Sequence, residues 1–109
     1  MSSIIYNVTC NMSPSIEKEW LEWMNEHIPK VLSTGFFLEA RLTRVLIKEN
    51  DGASTFSIQY KAIDRESLDK YINQHSDVLR QEGYEKFGDS VLSFRTELEV
   101  IDEYRVNKN

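Results

Sequence analysis

Cysteine is almost absent from this 109-residue chain. The single thiol, Cys10, excludes an internal disulfide and a thiolate-rich zinc site, and it fits a reducing compartment. Basic residues are also in short supply. Thirteen Lys and Arg stand against eighteen Asp and Glu, a net charge of −5 at pH 7 with a pI near 5.0. A nucleic-acid binder usually carries a basic stripe instead. No apolar run approaches the ~20 residues of a membrane-spanning helix. The four glycines, Gly35, Gly52, Gly83 and Gly88, are too scattered to form a phosphate-cradling loop. No Gly-x-Ser-x-Gly elbow and no cysteine–histidine pair with an orienting acid is legible. Met1-Ser2-Ser3 lacks the charged region of a signal peptide, and polar residues follow by Asn7, so a cytoplasmic location is expected.

What is present is the material for one core. Hydrophobic residues make up 40% and charged residues 28%, the balance of a globular domain. A chain of this length buries roughly two-thirds of its unfolded surface. One domain over residues 1–109 is expected, with its core at about 4–101 and a polar tail at 102–109. Residues 4–11, β-branched and aromatic with period-2 character, predict a first strand. Ser13-Pro14 announces a helix from Pro14 to about Glu26, with Ser13 as its cap and Pro29 disturbing it. Phe36–Ile47 and Thr55–Ile63 read as strands joined by the Asn50-Asp51-Gly52 turn. Asp64 can cap a second helix from Arg65 to about Glu82, ended by Gly83. Val91–Ile101 is the last strand.

The order is β-α-β-β-α-β, the ferredoxin-like motif of a four-stranded antiparallel sheet with two helices on one face. Right-handed crossovers put strands one and three in the middle. Recognition of RNA by this shape needs exposed aromatics on the third strand. Here Phe56 and Tyr60 alternate towards the helices, so no nucleic-acid partner is expected.

Alternation assigns Ile4, Tyr6, Val8, Cys10, Leu38, Ala40, Leu42, Phe56, Ile58 and Tyr60 to the helix-facing side. From the last strand it adds Leu92, Phe94 and Leu98. The other face collects polar residues of mixed sign, among them Asn7, Glu39, Arg41, Gln59, Lys61, Arg95 and Glu97, with Ile5, Val45, Ile63, Val91 and Ile101 at its ends. Such a face is either solvated or pairs with its copy. In the second case a homodimer forms through Arg41, Gln59, Arg95 and Glu97, and its buried charges must be paired.

His27 and His75 are the only histidines. On a helical wheel, His27 lies within the apolar arc of Ile16, Trp20, Trp23, Met24, Ile28 and Val31. His75 lies within the arc of Leu68, Tyr71, Ile72, Val78 and Leu79. Both rings are therefore expected between helices and sheet, where desolvation favours the neutral imidazole. Three readings follow. They are satisfied core residues; or polar anchors of a small-molecule pocket that Tyr6, Tyr60 and Trp23 also line; or a metal pair, for which two histidines are too few ligands. No metal and no cofactor is expected.

The stretch Trp20-x-x-Trp23-Met24-x-Glu26-His27-Ile28-Pro29-x-Val31-Leu32-x-Thr34-Gly35-Phe36 resembles an uncharacterised bacterial domain family in the dimeric α+β barrel superfamily. Ile5–Thr9, Ser57–Tyr60 and Phe94–Ile101 match as well, so the resemblance covers about residues 4–101. It implies pairing of open sheet faces into a β-barrel with helices outside. The superfamily also includes cofactor-independent monooxygenases, muconolactone isomerases and haem-binding branches, several with ligands between helices and sheet. The resulting expectation is a homodimer that binds a small aromatic or apolar molecule through His27, His75, Tyr6, Tyr60 and Trp23. Two alternatives stand beside it: a cofactor-independent monooxygenase or isomerase, and a structural or partner-binding dimer without a ligand.

Overall fold

A computed structural model describes residues 2–46 and 52–107. Ile47, Asn50 and Asp51, on which parts of the second strand and the turn were expected, lie outside the described residues. So do Met1 and the last two residues of the tail. The elements are β1 (Ile4–Met12), α1 (Glu17–Ser33), β2 (Glu39–Arg44), β3 (Ser54–Ala62), α2 (Arg65–Tyr71), a π-helical turn (Ile72–Ser76), α3 (Asp77–Phe87) and β4 (Val91–Glu99). The antiparallel sheet runs β2-β3-β1-β4, with β1 and β3 central as expected. No helix among the described residues is long and apolar enough to cross a membrane.

Local chemistry explains most boundaries. After Ser13-Pro14 the chain makes a turn in which Ile16 N–H donates to the Ser13 carbonyl at 3.0 Å, and α1 begins only at Glu17. The helix then runs through Pro29 to Ser33. Pro29 forfeits one backbone hydrogen bond. Burial of Trp20 and Met24 before it and Val31 after it holds the helix together across that gap. Gly35 takes φ 86°, and the reversed chain drops Phe37 into the core instead of extending the strand. Phe37 meets Tyr71 at 4.7 Å and Tyr60 at 5.2 Å, so β2 starts three residues later than alternation predicts.

Asp64 caps α2 as expected, its Oδ1 accepting from Ser67 N–H at 2.9 Å. Gly83 does not end the helix. A Cβ there would sit 3.2 Å from Trp23 Cη2, so glycine permits close approach of two helices. The turn-forming glycine is Gly88, at φ 54° after Phe87.

One expectation is overturned outright. Alternation assigns Leu92, Phe94 and Leu98 of β4 to the helix side, and Val91, Arg95 and Glu97 to the open face with Arg41 and Gln59. The register reverses this. Val8 lies opposite Arg95, Tyr6 opposite Glu97 and Cys10 opposite Ser93. Directly opposed residues share a face. Val91, Ser93, Arg95 and Glu97 therefore face the helices, and Glu97 ion-pairs with Arg65 at 2.7 Å. Leu92, Phe94 and Leu98 point to the open face, with exposures of 53%, 62% and 41%. Pairing with β1 prevails over the strand's own polarity pattern, because a one-residue slip would break that continuous ladder.

Candidate functional site

The helices do not fill the space over β1 and β4. Between them lies a cavity of about 310 Å³, at the lower end of the roughly 300–1,000 Å³ typical of small-molecule sites. Its floor is buried: Tyr6, Ile58 and Tyr60 from the sheet, and Trp20, Met24 and Val31 from α1. Leu79, Arg80, Gly83 and Phe87 supply the α3 wall. Tyr84, Asp89, Ser93 and Arg95 are lining residues exposed to solvent, and they mark the mouth beside β4.

His27, Trp23, Tyr6 and Tyr60 all line this cavity. The His27 ring stacks on Trp23, with centroids 4.4 Å apart and planes 17° from parallel. Phe87 meets the same Trp23 edge-on at 5.7 Å. Burial pushes the His27 pKa down to about 4, against a weaker opposing pull from Glu82, so the ring is neutral at pH 7. Its Nδ1 is buried and has no hydrogen-bond partner among the described residues. Buried polar groups are nearly always satisfied. This atom is the exception here.

His75 stands elsewhere. It packs against Phe36 at 5.7 Å and Tyr71 at 6.3 Å, outside the lining. The π-helical turn explains why. A π turn inserts one residue, which rotates everything downstream relative to a regular wheel. Buried positions step from Tyr71 to Ser76, and Val78, placed inside by the wheel, is 65% exposed. The same rotation brings Arg80 to the cavity, where its Nη2 donates to the Tyr6 hydroxyl at 2.8 Å.

Arg80 is a functional candidate that sequence reasoning missed, and Arg95 one that it assigned to the dimer face instead of the cavity. One was hidden by the π turn and the other by the reversed β4. Arg95 lowers the pKa of Cys10, His27, Tyr60 and Tyr71, so its charge reaches across the cavity. Burial nonetheless dominates for Tyr60, whose pKa lies far above the ordinary tyrosine value, and for Tyr71, pushed up to about 12. Both phenols are neutral hydrogen-bonding groups. Burial also raises the Cys10 thiol, whose Sγ lies 3.5 Å from Ser93 Oγ, and a thiol so held is a poor nucleophile. Among the described residues no group of three or more His, Cys, Asp or Glu is placed to hold a metal.

Sheet order, helix placement and cavity together define a ferredoxin-like α+β protein with a hollow between its layers. The chain belongs to the DUF4286 family, described as a domain of unknown function, whose model matches residues 3–101. No curated protein matches the sequence. Solved structures share the fold. A dimeric ferredoxin-like protein from an uncultured marine organism superposes with a TM-score of 0.78 at 14% identity, covering 95% of this chain and 100% of that one. A protein of unknown function from Nitrosomonas europaea gives 0.68 at 11% identity, covering 99% and 98%. A de novo designed protein gives 0.57 at 7% identity, covering 88% and 96%.

Proposed function

We propose that this chain is a homodimeric binding protein, and that each subunit holds one small ring-bearing or otherwise apolar molecule between its helices and sheet. The carrying observation is the cavity: aromatic and aliphatic walls, a few polar groups, and one buried imidazole nitrogen without a partner among the described residues. A ligand that reached His27 would satisfy an atom that the fold leaves unsatisfied. Tyr6 accepts from Arg80 and keeps its own O–H for donation. Tyr60 offers a second hydroxyl, and Trp23 a flat apolar surface.

Two observations support the dimer. The first is the apolar stripe of Leu92, Phe94 and Leu98, joined by Ile5 opposite Leu98, on an otherwise polar open face. A contiguous exposed apolar stripe marks an interaction site. The second is that several of the uncharged polar residues beside it already bond to one another. Ser57 Oγ donates to Asn7 Oδ1, Asn11 Nδ2 donates to Thr55 Oγ1 at 2.9 Å, and Thr43 Oγ1 donates to the Ser57 carbonyl at 2.9 Å. These groups can be covered without being orphaned, whereas Arg41 and Gln59 must find partners across the interface. The similar marine protein is described as dimeric.

Saturation-transfer NMR with indole as probe tests the reading. The wild-type protein should transfer saturation to indole. Val8→Phe, which fills the cavity from its β1 floor, should abolish most of that signal while the circular dichroism spectrum is retained. An unchanged signal in the folded variant would refute binding in this cavity.

A further inference from the structure

Building on that reading, we infer that the molecule held in the cavity is a monocarboxylate with an apolar body, its acid group taken by Arg95 at the mouth and its body lying towards Trp20, Trp23 and Tyr60.

The argument starts from where the cations are. Arg44, Arg65 and Arg105 each ion-pair with a carboxylate. Arg95 has no ion pair among the described residues, although it is held on the helix-facing side of β4 by its register opposite Val8. Arg95 is open to solvent at the mouth, so water serves it in the empty cavity and a bound anion becomes its first charged partner. Asp89 is the one carboxylate residue in the same lining, and it forms no ion pair with Arg95 among the described residues. Arg80 is the second guanidinium, oriented by its bond to Tyr6. With His27 neutral, two cations and one anion line the cavity, leaving one net positive charge.

That balance selects the ligand's charge. A guanidinium fork matches a carboxylate with two parallel N–H···O bonds. A phosphate dianion would meet Asp89 with an unmatched second charge. A neutral ligand would gain nothing from the charge on Arg95. The protein as a whole carries −5, so an anion needs local positive charge, which the lining supplies with Arg80 and Arg95 against Asp89. The interior is aromatic and aliphatic, which excludes a small polar acid and favours one bearing a ring or a short chain.

Titration calorimetry with phenylacetate and its neutral isostere phenylacetamide, on wild type, Arg95→Gln and Arg95→Lys, tests this, with indole as a neutral reference. Phenylacetate should bind wild type about tenfold more tightly than the amide, as expected for hydrogen bonds to a charged group. Arg95→Gln should remove that preference, so that acid and amide bind alike. Arg95→Lys should retain part of it. Equal affinity of acid and amide for wild type would overturn the inference but leave cavity binding standing. A preference that survives Arg95→Gln would overturn the assignment to Arg95. If indole, acid and amide all fail to bind, both this inference and the binding function fall.

Discussion

Replacement of His27 by glutamine should make the protein more tolerant of acid. The ring's pKa falls from 6.5 in the unfolded chain to about 4 in the fold, chiefly through burial. Because the folded value is the lower one, the unfolded chain binds the proton first as pH drops. Stability is therefore unaffected by this group above pH 6.5, is lost as pH falls from 6.5 to 4, and changes no further below 4. At 1.36 kcal/mol per pH unit the full interval corresponds to about 3 kcal/mol at most. The ring is partly open to the cavity, and solvent screening reduces this to about 2 kcal/mol. Urea unfolding at fixed protein concentration, at pH 7 and pH 5, measures it. Carboxylates also begin to titrate near pH 5, so the informative quantity is the difference between proteins. Wild type should lose about 1–2 kcal/mol more than His27→Gln between the two pH values. Equal losses would refute a desolvated, neutral His27.

The other predictions concern packing and assembly. Phe94→Glu places one carboxylate per copy in the proposed sheet-to-sheet interface, and should raise the dimer dissociation constant by about a hundredfold or more by sedimentation equilibrium. Wild-type dimerisation that survives this change would move the interface elsewhere. Gly83→Val pushes side-chain carbons onto Trp23, which lies 3.2 Å from the first added atom. It should cost about 1–3 kcal/mol in thermal unfolding and shift the tryptophan fluorescence. A neutral outcome would mean that Trp23 moves freely into the cavity.

The central strands were legible because their alternation and their burial agree: Tyr6, Phe56, Ile58 and Tyr60 are apolar and face the helices. Asp64 was legible because a side-chain cap is a local interaction. Trp23 and His27 were legible because α1 is regular across both, in spite of Pro29. What escaped the sequence was non-local. In β4 the apolar residues occupy one parity and face outward, since pairing with β1, not local polarity, sets the strand's orientation. A strand whose apolar side turns away from its own core is consistent with a second sheet beyond it, and its polar side becomes available to a ligand. The π turn at Ile72–Ser76 leaves no composition signal, yet it separates His75 from the cavity and brings Arg80 to it. Gly83 imitates a helix terminator in sequence, whereas its purpose, room for Trp23, is visible only in three dimensions.

Native mass spectrometry of the gently purified protein tests the central claim most directly, because it reports subunit number and retained ligand together. The account predicts a mass of two chains carrying up to two copies of a small organic acid, with the adduct lost in Arg95→Gln and the dimer kept. A bare monomer would contradict it on both counts, since neither the apolar β4 stripe nor the cavity would then have an occupant.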